Sequence, residues 1–355
     1  MTIYIILVFI LLFLALIIPK KNDLTYCVIA FIVLATISAL RANSVGTDAA
    51  MYTRAFSWIY SYKLDIALNK TRYEIGFVIL CKVLSIIWNN PQILLMISSI
   101  IINLFITEFI YKNSSNKRLS IILYVLLTTY FTYMNIIRQA LAIAIILHFY
   151  EYLKKDKIKM YIIGIIIATL LHSSAIIMLI PIFIRNKKQY NLKYFLIVAV
   201  SFILAIVGKP VISFLLGIFT KYAGYMDLKY FNSNYFGAII SAFIVLVIST
   251  AYYFTVIKNS KANHENNLVF NNLILCMIFA FASIATNISS RLESYFYIFN
   301  IIAIPEILNK LGKQKIAYIF NKYFVILIGL LYCFIILKFR PEWDSVVPYL
   351  FFWEV

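Results

Sequence analysis

Residues 160–184 read MYIIGIIIATLLHSSAIIMLIPIFI. Only His172-Ser173-Ser174 interrupts an otherwise apolar run. A bilayer-spanning helix takes about 20 mostly apolar residues, and this stretch has 25. Its apolar residues are continuous rather than alternating, which favours a helix over a barrel strand. Helices and closed barrels are the two structures that satisfy backbone polar groups in lipid. Outward from this stretch the pattern repeats over the chain, at about 2–18, 24–40, 75–88, 92–111, 119–134, 139–153, 194–208, 236–257, 268–286, 294–308 and 317–337. Of the 355 residues 63% are hydrophobic and the mean hydropathy is +0.91, where a soluble domain is about half apolar. The expected fold is all-α: a polytopic membrane bundle of about 10–13 segments. It forms one integral membrane domain over 1–355, with longer stretches on the outer face at 41–74 and 209–235.

The net charge of +18 does not point to nucleic acid, because no basic domain exists outside the apolar segments. The lysines sit in short loops, such as Lys20-Lys21 and Lys154-Lys155, which is the positive-inside pattern. Placing the basic loops 19–23, 112–118, 154–159, 185–193, 258–267 and 309–315 in the cytoplasm leaves 41–74, 209–235, the Asn287–Glu293 turn and both termini outside. Segments 75–88 and 160–184 must then each begin and end on one side. The first contains Lys82 and has 14 residues, so partial insertion fits. The second is either a hairpin broken at His172 or a plain span with one loop breaking the rule. Cys27, Cys81, Cys276 and Cys333 are scattered without a CxxC spacing and read as small core hydrophobes. The first run follows Met1 without a basic leader region and reads as a retained helix. The wealth of Ile, Lys and Asn suggests an AT-rich bacterial gene. The tail from Lys338 onward carries Trp343, Tyr349, Phe351, Phe352 and Trp353, residues that favour the membrane–water interface.

Polar groups among the apolar runs are functional candidates, since a charge in a span costs roughly 2.5–3.5 kcal/mol. Arg41 opens a stretch in which Gly46-Thr47-Asp48 reads as a turn and helix cap before Tyr52. Capping alone, or an anion site formed by Arg41 and a helix N-terminus, both account for it. Arg72 and Glu74 precede segment 75–88, either as an interfacial ion pair or with Glu74 as an acid/base group. Arg138-Gln139 follows Asn135. Arginine keeps its charge, so Arg138 either snorkels or binds an anion, and the anion is favoured. His172 is a packing donor or a base, whereas His148 fits packing better and His264 lies in a basic loop. Arg291 and Glu293 either pair with each other or act separately beside Tyr295. Arg41, Arg138 and Arg291 all map to the outer side, where three guanidinium forks would suit a diphosphate.

Several chemistries lack their motifs. There is no GxxxxGK[ST] or GxGxxG loop, no HExxH or Cys/His cluster, no Gly-x-Ser-x-Gly elbow, and no Asp-x-Asp pair of the kind that holds a metal on a nucleotide-sugar diphosphate. No cofactor and no metal are expected.

The pieces Arg41 with Val45-Gly-Thr-Asp48 and Tyr52, Glu74-Ile-Gly-Phe77, Asn135-Ile-Ile-Arg138-Gln139-Ala-Leu-Ala142, His172-Ser-Ser-Ala175, Arg291 with Tyr295, and Val347-Pro-Tyr349 with its aromatics run in order from residue 41 to the end. In this the chain resembles the EpsG/Wzy-like bacterial polysaccharide polymerases of capsule, exopolysaccharide and O-antigen clusters. The resemblance implies a multi-pass bacterial cell-membrane protein, similar to metal-independent glycosyltransferases of the GT-C kind, with its active site facing outward. The reaction it implies transfers a growing glycan from undecaprenyl diphosphate to another lipid-linked repeat unit. Partners would be undecaprenyl-diphosphate-linked glycans, the bilayer, and a chain-length regulator and flippase of the same pathway.

In that setting Arg138 and Arg291 would hold the diphosphate, with Arg41 as a third clamp and Gln139, Tyr52 and Tyr295 lining the substrate site. A base must take the acceptor hydroxyl's proton. His172 is first choice, since a histidine titrates near neutrality, and Glu74 or Asp48 is second. The rivals are a membrane O-acetyltransferase, whose histidine should be reachable from the cytoplasm, and a flippase or transporter, which should show internal repeats. A purely structural scaffold leaves the arginines near one face unexplained.

Overall fold

The computed structural model describes residues 1–187, 191–218, 235–258, 263–312 and 315–354. Among these the chain is mainly helical, with no strand. Its one ladder feature is an isolated antiparallel bridge between Arg41 and Phe351. Six helices are long and apolar enough to cross a membrane: Lys20–Ala39, Gln92–Asn113, Leu192–Pro210, Phe236–Ile257, His264–Ala285 and Ile316–Phe339. Shorter apolar helices stand beside them. The protein is therefore a multi-pass helical membrane protein.

The chain divides into two compact units, Met1–Ile176 with Lys315–Val355, and Ile177–Gln314. In the first unit α1 is Thr2–Ile17, α2 Asp23–Ala39, α3 Ala49–Ser61, α4 Leu64–Lys70, α5 Ile75–Ile87, α6 Gln92–Asn113, α7 Lys117–Leu126, α8 Thr129–Asn135, α9 Ile137–Lys154 and α10 Ile158–Leu171. The closing helix of this unit is Lys315–Phe339. Two sequence-based expectations change in detail, and of the two readings of 160–184 the break at His172 is the one seen. The run 119–134 is two helices, because Thr128 takes a left-handed φ of 61° and ends the first. The stretch 41–74 carries two helices rather than one. The run 160–184 does not continue as one helix: His172 is extended, with φ −154° and ψ 113°, and a 3-10 turn at Ser173–Leu179 follows.

This unit has two polar ends. At the basic end Arg118 reaches Asp23 at 2.8 Å and the carbonyls of Ala15, Ile18 and Pro19. It thereby staples the α1–α2 connection to the start of α7. Lys154 donates to Asn113 at 3.0 Å and ties the end of α9 to the end of α6. Because α6 and α9 both end there, their starts lie at the opposite end. There the Gln92 amide donates to the carbonyls of Ala39 and Arg41 at 2.8 and 3.0 Å. Hydroxyls glue α2 to α6 inside the bundle, with Ser38 and Ser99 at 2.8 Å. In lipid such internal partners replace the water a buried polar group would otherwise need. Helix α5 has 13 residues, about 20 Å of rise, short of the roughly 30 Å hydrocarbon core. It opens beside α10 and leads into α6 at Gln92, so partial insertion of 75–88 agrees with its length.

The tail folds back over this second end. Ala42 N–H donates to Leu350 O at 2.9 Å and Phe352 N–H to Leu40 O at 3.0 Å. The hydroxyls of Tyr349 and Tyr4 bond Ile37 O and Val346 O at 2.8 and 3.0 Å. Gly46 N–H reaches Ser345 O at 2.8 Å. Gly46 has φ +112°, and a Cβ there would stand 2.7 Å from Asn135 Oδ1. Gly46→Ala should therefore cost about 1–3 kcal/mol through strain and collision, read as a lower melting temperature of the detergent-purified protein. An unchanged melting temperature would mean that the 42–48 loop relaxes without penalty.

In the second unit α11 is Ile180–Ile184, α12 Asn191–Ile218, α13 Tyr235–Tyr252, α14 His264–Ala285, α15 Asn287–Tyr297 and α16 Phe299–Leu311; the closing helix of the first unit is then α17. Helix α14 is its buried core element and starts with a reciprocal Asn263–Asn266 capping box. The Asn287–Glu293 stretch, read from sequence as a turn, lies in α15. Of the outer stretch 209–235, residues 209–218 continue α12 and 219–234 lie outside the described residues, as do 188–190, 259–262 and 313–314 of the basic loops. All four cysteines are buried thiols, which fits their reading as core groups.

Candidate functional site

Three residues remote in sequence meet where α5, α9 and α10 begin or end. Glu74 is the N-cap residue of α5. Arg138 stands in the first turn of α9. His172 follows the last residue of α10. The juxtaposition depends on a close approach: a Cβ on Gly76 would lie 2.6 Å from the carbonyl oxygen of Leu170. Only a residue without a side chain lets the first turn of α5 come that near α10. The His172 break then aims the Ser173 N–H at Glu74 Oε1, at 2.9 Å. Arg138 Nη1 donates to Glu74 Oε2, and His172 Nδ1 lies 3.7 Å from Oε1. Both oxygens of one carboxylate are thus engaged, and each side chain of the trio keeps a little exposure, 14–21%.

Aromatic rings fix the guanidinium. Arg138 Cζ is 4.7 Å from the Tyr73 ring centroid, 5.6 Å from Phe77 and 5.7 Å from Tyr52. All three lie within cation–π range, and the rings pack on each other, Tyr73–Phe77 at 5.3 Å and Tyr52–Phe77 at 5.9 Å. Burial by itself would raise the Glu74 carboxyl. The Ser173 N–H, the Arg138 charge and the nearby His172 outweigh it and hold the group below the usual carboxylate range. Glu74 is accordingly an anion at neutral pH. Arg72, read from sequence as its possible partner, instead contacts Met51 Sδ at 3.2 Å and the Tyr73 ring at 5.7 Å.

The remaining sequence-derived candidates are placed differently. Arg41 is 1% exposed. Its Nη1 bonds Ser38 O, Ser38 Oγ at 3.0 Å and Ser99 Oγ at 3.1 Å, and its Nη2 bonds Met134 O at 2.8 Å. Those bonds hold α2, α6 and α8 together. Asp48 is the N-cap residue of α3 without a side-chain bond to its first turn. Gln139 and Tyr52 are buried. Arg291 and Tyr295 belong to the second unit, on α15, with Arg291 exposed and Tyr295 buried. There Glu293 accepts a hydrogen bond from Ser241.

Sequence reading missed two supports. Asn135 is a hub: its Oδ1 accepts the Thr47 N–H at 2.7 Å and its amide donates to Asp344 Oδ1 at 3.0 Å. Asp344 is one of three acids in the aromatic tail, with Glu342 and Glu354, so nothing in the sequence set it apart. Burial pushes its carboxyl up to about 6 from the ordinary 3.8, against hydrogen bonds from Asn135 and Thr132. The folded chain thus binds this proton more tightly than the unfolded chain. The linked stability is complete below pH 3.8 and lost as pH rises through about 6. The melting temperature should fall between pH 5 and pH 7.5 more in the wild type than in Asp344→Asn. Equal falls would remove Asp344 as the cause.

Fold and site together define a multi-pass helical membrane protein that carries a carboxylate–guanidinium–imidazole cluster at one end of its first unit. The model of the EpsG family matches residues 24–351, and the chain belongs to that family. Its role is accordingly that of a membrane polysaccharide polymerase, glycosyltransferase-like in kind. No curated protein and no solved structure matches the chain. Among the described residues no group of three or more His, Cys, Asp or Glu side chains is arranged to hold a metal ion.

Proposed function

We propose that this protein joins oligosaccharide repeat units carried on undecaprenyl diphosphate at the extracytoplasmic face of a bacterial membrane. The observation that carries the reading is the meeting of Glu74, Arg138 and His172 from three separate segments. An acceptor hydroxyl attacks C1 of the donor's first sugar. The bond from C1 to the diphosphate oxygen breaks, and the lipid diphosphate leaves with the electron pair. A diphosphate leaves readily once its charge is neutralised, so no general acid is needed. Arg138 directs its remaining donors at that charge. His172 takes the acceptor's proton on Nε2. Glu74 faces the other ring nitrogen and stabilises the imidazolium that forms, the role a carboxylate plays beside a histidine base. Tyr52 holds the Arg138 guanidinium against its ring, Asp48 and Gln139 are further substrate contacts of the first unit, and Arg41 braces α2, α6 and α8. The chain-length regulator and flippase of the same pathway complete the system.

The test is the glycan ladder in cells lacking the native gene. Arg138→Ala and His172→Ala, accumulated at wild-type levels, should each leave single repeat units in place of long polymer. Full-length chains from either variant would end this assignment. An acetyltransferase would instead leave chain length intact and remove acyl groups.

A further inference from the structure

Beside the cluster, on the far side of Tyr73 in sequence, lies a second feature. A cleft of about 370 Å³ runs between α3 and the 70–73 segment, lined by Arg54, Trp58, Lys70, Arg72 and Tyr73 among others. Its size falls at the lower end of the roughly 300–1,000 Å³ of small-ligand clefts. Three cations face it and no carboxylate lines it. None of the three is in an ion pair among the described residues. Arg54 uses Nε on the Ala50 carbonyl at 3.1 Å, and among the described residues Arg72 meets the Met51 sulfur, a weak acceptor, at 3.2 Å and the Tyr73 ring. Three like charges around one opening repel each other, and a bound anion reverses that cost.

The neighbouring arginines are occupied by contrast. Arg138 gives its Nη1 to Glu74 and has only its other donors for the leaving oxygen, and Arg41 is buried on protein oxygens. Tyr73 links the two places, with Arg138 Cζ at 4.7 Å from its ring and Arg72 Cζ at 5.7 Å. From this geometry we infer that the Arg54–Lys70–Arg72 cleft is the subsite that binds the diphosphate of the lipid-linked substrate, handing its sugar end to the Glu74–His172 cluster. The inference rests on the polymerase reading and adds residues that the sequence motifs did not single out.

The experiment is equilibrium dialysis of the detergent-purified full-length chain against four probes: farnesyl diphosphate, inorganic pyrophosphate, farnesol and a hexuronate tetrasaccharide. The wild type should bind farnesyl diphosphate saturably and farnesol not at all. The triple variant Arg54→Ala/Lys70→Ala/Arg72→Ala should bind about 100-fold more weakly, several charge-assisted contacts being lost together. A control with the same loss of charge at the opposite end, Lys20→Ala/Lys21→Ala/Lys112→Ala, should bind as the wild type does. Inorganic pyrophosphate binding equally well identifies the diphosphate itself as the ligand, and weaker binding identifies the lipid headgroup. Both support the subsite. Undiminished binding by the triple variant overturns it. So does a cleft-dependent preference for the hexuronate, which would make the cleft a site for acidic sugar. Should the triple variant fail to fold, Arg72→Glu alone, at an exposed position, must still weaken diphosphate binding. Because no polymer is measured, failure here is separable from failure of the polymerase assignment, which the Arg138 and His172 ladders decide.

Discussion

Glu74→Gln should abolish long polymer while the protein still accumulates. The amide keeps the size of the carboxylate and an oxygen to accept the Ser173 N–H. It removes the charge that holds Arg138 and faces His172 at 3.7 Å. Without it the imidazolium formed on proton transfer loses its counter-charge. Arg138 also loses its fixed partner, so its aim at the leaving group becomes one of several. General-base catalysis is worth about 10²–10⁴-fold, and a loss of about 10³-fold in polymerisation rate is expected. The glycan ladder should collapse to one or two repeat units, with immunoblot levels near wild type. Because surrounding charges hold Glu74 ionised at neutral pH, raising the pH should not rescue the variant. A wild-type ladder from Glu74→Gln would remove the carboxylate from the mechanism and leave the cluster a structural ion pair.

The second large effect concerns Arg41 and is one of folding. Arg41→Ala removes the guanidinium that joins Ser38, Ser99 and the Met134 carbonyl inside the first unit. Each acceptor left unsatisfied in a dry interior costs about 1–3 kcal/mol, and the vacated volume adds a cavity penalty. A total of about 3–5 kcal/mol is expected, enough to lower both the melting temperature and the amount of protein in the membrane. Arg41→Lys should recover little, since an ammonium cannot reproduce the planar fork that spans α2, α6 and α8. The contrary outcome is informative. A stable Arg41→Ala protein that makes no polymer would return Arg41 to the substrate, as the clamp its outer-side position suggested.

Family motifs and site geometry diverge most at the arginines. Charge in an apolar run marks a residue as costly but does not reveal what compensates it. For Arg138 the compensation is Glu74 and three rings; for Arg41 it is main-chain and hydroxyl oxygens of its own bundle. From sequence the two looked alike. Arg72 and Glu74 looked like a pair because they are near neighbours, yet Arg138, 64 residues on, takes the carboxylate. Arg54 drew no notice, because on a helix face among aromatics it reads as an ordinary exposed side chain. Only the loop that brings Lys70 and Arg72 opposite it makes a cleft.

What the amino-acid sequence determined by itself was local or additive. Hydropathy summed over about 20 residues decides membrane insertion, so the helical membrane class was legible. The polar interruption His172-Ser173-Ser174 marked where a break could fall, but a plain span remained open until the structure showed His172 extended. The motif order from residue 41 onward carried the family. The tertiary structure alone decided which distant residues share a partner: Gly76 against Leu170, Asn135 between Thr47 and Asp344, Glu74 between Arg138 and Ser173. Such pairings depend on helix crossings and on which face each helix buries, and hydrophobic segments that are apolar all round encode neither in their periodicity.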